Sequence, residues 1–129
     1  MTADLVAFLA ARLDEDEQNA RQATTGPWHV LGGGSDEYAI STTPDGKVLS
    51  AEVAAPGYDS GGIWERADAE HIARHDPVRV LAEVDAKRRT AVRCEEALLS
   101  ANAMLVHFAR QTLIELALPY ADHPDYRPE

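Results

Sequence analysis

The sequence predicts an α+β protein: an N-terminal helix, a small antiparallel three-stranded meander, and then two to three helices with a long C-terminal helix and an ordered tail. Three observations carry this. Apolar residues recur at helical spacing near the start. The spacing changes to short strand-like runs between residues 28 and 53. Helical spacing then returns from about residue 65 to residue 117.

Residues 3–22 form the first predicted helix. Leu5, Phe8, Leu9 and Leu13 fall on one stripe. Thr2 is placed to cap it, and Asp4 complements its positive end. The acidic run Asp14–Glu17 reads as a solvated face. "TTGPW", residues 24–28, ends the helix, because Gly26 accepts a terminating conformation and Pro27 cannot continue one.

Runs at 28–31, 37–42 and 47–53 then read as strands joined by "GGGSD" and by a Pro44-Asp45-Gly46 turn. Alternation assigns Trp28, Val30, Tyr38, Ile40, Val48 and Val53 to the face that packs on helices. The triple glycine 32–34 is a hairpin loop and not a phosphate cradle, since no GxxxxGK[ST] pattern and no helix follow it. Residues 55–64, with Pro56 and three glycines, form a loop.

The stretch "ERADAEHIARH" predicts a short helix, interrupted at Asp76-Pro77. Aspartate is a good N-cap, and proline suits the first position of a new helix. From 77 to about 117, Val80, Val84, Ala91, Cys94, Leu98, Ala101, Leu105 and Phe108 keep a four-three spacing broken only by Lys87. An unbroken helix of that length would span roughly 60 Å, too long for a compact domain of this size. Two outcomes satisfy the pattern: a break near Ser100-Ala101-Asn102, or a projecting helix that pairs with another chain. The seam Val84, Ala91, Leu98, Ala101, Leu105 and Phe108 is the expected interface, and a homodimer or another protein the expected partner.

Bulk properties narrow the function. The chain's 129 residues suit one domain, 1–129. A single cysteine, Cys94, permits no internal disulfide and fits a cytoplasmic location. The first residues lack a basic segment and are interrupted by acids, so no secretory signal is expected. No apolar run approaches bilayer length, so no membrane is expected. A net charge of −10 opposes general nucleic-acid binding.

Two groups of residues have both a chemical and a plain structural reading. Asp68, His71 and His75 lie at i, i+3 and i+7, and could offer two imidazoles and a carboxylate to Zn²⁺ or another divalent ion, with His123, Asp122 or Asp125 added from the tail. Against this, no HExxH supplies a general base, and His75 suits a helix C-terminus. Cys94, in the middle of the seam, reads as a core cysteine and not a nucleophile. No cofactor is therefore expected, with the divalent metal as the alternative. The "YADHPDY" tail reads as a clamp that stacks its rings on the helices. Arg79, Lys87, Arg88 and Arg89 are the expected cationic partners of Asp14–Glu17.

The order of an acidic helix, "GPW", a β segment, "HIARHDPVRVLAEVDAKRR" and "LPYADHPDYRPE" resembles a domain-of-unknown-function family of actinobacteria and their phages. A looser likeness in element order is to phage-encoded accessory proteins. The resemblance implies a small actinobacterial or phage protein. It supplies no activity and no catalytic residue. The expected function is therefore a non-enzymatic interaction protein, with a small metal-dependent enzyme as the alternative.

Overall fold

The computed structural model describes residues 2–32, 37–44, 52–54 and 62–128. The fold is α+β. Helix α1 (Thr2–Gln22) is followed by strands β1 (His29–Gly32), β2 (Tyr38–Ser41) and β3 (Glu52–Ala54). Helices α2 (Arg66–Arg74), α3 (Pro77–Leu98) and α4 (Ala103–Ala117) come next, and a single 3-10 turn spans Leu118–Tyr120. The chain divides into two compact units: residues 19–81, and residues 1–18 with 82–129.

In the first unit, β1 and β2 pair antiparallel from His29 opposite Ser41 to Gly32 opposite Tyr38. β3 adds a short antiparallel pairing to β2, with an irregularity in register at Ile40/Ser41. β2 is the middle strand, and Ala39, Ile40 and Ser41 are all buried. That departs from the expected alternation. Successive residues point to opposite faces, so the burial of all three places side chains of both faces out of solvent, Ala39 and Ser41 being the small ones. Ile40 packs inward as expected, while Trp28, Val30, Tyr38 and Val53 are half-buried. Val48 and the rest of the expected strand through residue 51 lie outside the described residues. Ile63 extends the pairing, its carbonyl accepting from the Tyr38 N–H at 2.8 Å. Helix α2 lies against β1 and β2 and buries Ala69 completely.

Asp76 ties this unit together. It is buried, and its two oxygens are both used. Oδ1 accepts from the Arg79 N–H at 2.9 Å, which caps α3. Oδ2 accepts from the Trp28 N–H at 3.0 Å, which fixes the chain just before β1. Gly26 belongs to the same junction: a Cβ there would meet Val78 Cγ2 at 2.9 Å and Asp76 Oδ2 at 3.1 Å. The "GPW" and "HDP" motifs therefore meet in one structural joint.

In the second unit, the buried apolar residues are Leu5, Leu9 and Leu13 of α1, Val84 and Cys94 of α3, and Ala109, Leu113 and Ala117 of α4. Of the two outcomes open for 77–117, the structure has the break near Ser100-Ala101-Asn102, which gives two helices. The backbone turns after Leu98, where the Leu99 and Ser100 N–H groups close back on Glu96 and Ala97. Asn102 then starts α4, its Oδ1 accepting from Met104 N at 3.0 Å and Leu105 N at 3.3 Å. The break resets the helical phase. The buried stripe of α4 is Ala109, Leu113 and Ala117, not the extension of the seam through Leu105 and Phe108.

Candidate interaction surface

The expected interface residues split at the break. Val84 is buried, and Ala91 and Leu98 are half-buried within their own unit. Ala101, Leu105 and Phe108 are exposed, Phe108 to 71%. The tip of the α3–α4 hairpin also exposes Leu99 to 88% and Met104 to 83%. Neither was singled out from the sequence. The signal was there: a polar "SAN" break with a capping asparagine, flanked on both sides by large apolar residues.

Two grooves flank this hairpin. One, of about 250 Å³, lies between α3 and α4, with Cys94, Ala97, Leu105, Phe108 and Ala109 among its walls and Arg93 as its charged residue. The other, of about 550 Å³, lies between α1 and α3, lined by Ala3, Val6, Val92, Leu98 and Leu99 and edged by Glu95 and Glu96. Cys94 is buried, and that burial pushes its thiol up from the ordinary value. The thiolate needed by a nucleophile is disfavoured there.

The tail docks on α1. Phe8 makes edge-on contacts with His123 and Tyr126, at centroid distances of 5.7 and 5.8 Å. The Arg12 guanidinium lies 5.1 Å from the Phe8 centroid, and its Nη1 approaches His123 at 2.6 Å from Nε2 and 2.7 Å from Nδ1. Its Nη2 donates to Glu15 at 3.0 Å. The Tyr120 hydroxyl donates to Asp16 at 2.5 Å. Arg88 bridges Asp14 at 2.6 Å and Glu17 at 3.2 Å. Of the other expected cations, Arg89 pairs with Asp85 in its own helix. The Arg88 and Arg89 pairs lie outside the tail and, being partly or largely exposed, contribute about 0–1 kcal/mol each, while the aromatic contacts hold the tail to α1.

Burial, with help from the bond to Asp16, pushes the Tyr120 phenol well above its ordinary value. Folding thus holds this proton more tightly than the unfolded chain does. The stabilisation is complete below the ordinary phenol value near ~10 and is lost as pH rises beyond it. Tyr120→Phe is expected to cost about 1 kcal/mol at neutral pH, for one hydrogen bond to a carboxylate in a partly exposed setting. It should also flatten the loss of stability above pH ~10. Urea titrations at neutral and alkaline pH read both effects.

The metal alternative finds a poor donor set. Asp68, His71 and His75 are all exposed on or next to α2. The two imidazoles lie 4.3 Å apart, tilted by 38°. His75 turns its Nδ1 to the His71 carbonyl at 2.8 Å, as a residue closing a helix would. Asp68 and His71 border a cleft of about 580 Å³ with Trp64, Glu65 and Ile72. His123 is engaged in the other unit, with Arg12 and Phe8. Among the described residues, no three His, Cys, Asp or Glu side chains are grouped to hold a metal ion.

No described helix is long and apolar enough to cross a membrane. No curated protein and no solved structure matches the chain. Residues 2–129 match one family, described as "Family of unknown function (DUF6221)". The chain belongs to that family, whose description assigns no activity.

Proposed function

We propose that this chain is a non-enzymatic interaction module that acts by protein–protein contact and self-associates through the tip of the α3–α4 hairpin. The observation that carries this reading is the exposure of Leu99, Met104, Leu105 and Phe108 on and beside one turn. Contiguous apolar surface of this kind on a folded chain marks an interface more often than not. A cytoplasmic protein working as one domain fits the lone cysteine and the chain length, and the net charge of −10 opposes nucleic acid as the partner. A role as a phage or mobile-element accessory factor rests on the resemblance of the "HIARHDP" and "LPYADHPDY" blocks, and the partner in that role is a protein.

Two measurements on the purified protein separate this from the metal-dependent enzyme. Light scattering across a dilution series should give a mass that rises above 14.1 kDa with concentration. Elemental analysis should give no stoichiometric transition metal. A ratio near one metal per chain, abolished by His71→Ala, would replace the proposed function with the enzyme.

A further inference from the structure

We propose that a second copy of this chain seats on the groove between α3 and α4, each copy placing its Phe108 ring in the other's groove. This rests on the self-association proposed above and names which of the two grooves serves it.

An isologous contact requires one surface to carry both the protrusion and the recess. The α3–α4 face meets that condition. Phe108 stands 71% exposed at the rim of a recess of about 250 Å³, whose walls include Ala97, Leu105 and Cys94. An apolar cavity of about 150 Å³ already holds a benzene molecule, so a phenyl ring has room here.

The charges choose the same groove. The α1–α3 groove is edged by Glu95 and Glu96, and two copies meeting there would bring carboxylates together. The α3–α4 side carries Arg93. Glu115 lies seven residues after Phe108, on the same stripe of α4. Neither Arg93 nor Glu115 has an ion-pair partner among the described residues, and their opposite signs suit reciprocal pairing between copies.

The apolar area sets the strength. Met104, Leu105 and Phe108 offer on the order of 400 Å² per copy, about half of the ~800 Å² per partner in a standard interface. Thr90, Arg93 and Thr112 add a polar rim to the same face. A contact of this size predicts a reversible dimer at micromolar concentration.

The test is sedimentation velocity of the full chain and two surface variants, each checked for native circular dichroism. Phe108→Ser is expected to weaken the dimer at least tenfold, and Val92→Asp, in the other groove, to leave it unchanged. The Cys94 thiol should react more slowly with a small thiol reagent at dimeric than at monomeric concentrations in the wild type, and at one rate in Phe108→Ser. A dimer that survives Phe108→Ser, or is lost in Val92→Asp, overturns the choice of groove while leaving self-association standing. A wild-type chain that stays monomeric throughout overturns both, including the case where it assembles only with a different protein.

Discussion

Asp76→Ala is expected to destabilise the protein by about 2–4 kcal/mol, the largest effect of any polar substitution in the chain. The carboxylate is 8% exposed and accepts two backbone N–H groups from segments 51 residues apart, Trp28 and Arg79. Removing it takes away the cap of α3 and the negative charge at that helix's positive end. It also leaves the Trp28 N–H without its acceptor in a partly buried place. Asp76→Asn keeps one good acceptor and should cost about half as much. Gly26→Ala strains the same joint from the other side, because its new methyl group meets the Val78 side chain. Urea denaturation measures all three. A change below about 0.5 kcal/mol for Asp76→Ala would mean that the joint does not hold the fold.

Leu113→Ala should cost about 2–5 kcal/mol, the ordinary range for removing a fully buried leucine and leaving a cavity. Leu113 is 0% exposed at the centre of the buried stripe of α4. Phe108→Ala, on the same helix but 71% exposed, should change the stability of the isolated chain by less than about 1 kcal/mol despite removing a larger side chain. The contrast fixes the rotation of α4 about its axis. Equal losses from both substitutions, measured at concentrations where the chain is monomeric, would place Phe108 in the core and remove it from the surface.

The elements with strong local chemistry were legible in the residues. "GPW" stopping α1, and Asp76-Pro77 separating α2 from α3, each follow from capping preferences and the missing N–H of proline. What the residues did not show was the second use of Asp76, since one side chain can cap a helix and hold a distant N–H only once the fold brings them together. Alternation failed at Ala39-Ile40-Ser41 because successive residues of β2, which point to opposite faces, are all buried.

Beyond Leu98 the seam depends on the break between α3 and α4. A four-three spacing continues across "LSAN" on paper, but Asn102 begins a new helix and the phase restarts. The spacing picked out Leu105 and Phe108 as interface candidates, and the restart of the helix at Asn102 leaves both exposed at the hairpin. Asp68, His71 and His75 follow helical spacing and are exposed on or next to α2, while His123 contacts Arg12 and Phe8. The tail's reading as a clamp rests on ring chemistry, and Tyr120, His123 and Tyr126 do meet α1.

Sedimentation equilibrium of the wild-type chain over a hundredfold range around micromolar concentration tests the central claim most directly. Self-association through the hairpin tip calls for a reversible monomer–dimer equilibrium, with Phe108→Glu sedimenting as a folded monomer at every concentration. A wild-type mass of 14.1 kDa across the whole range, with the same profile for Phe108→Glu, would contradict it.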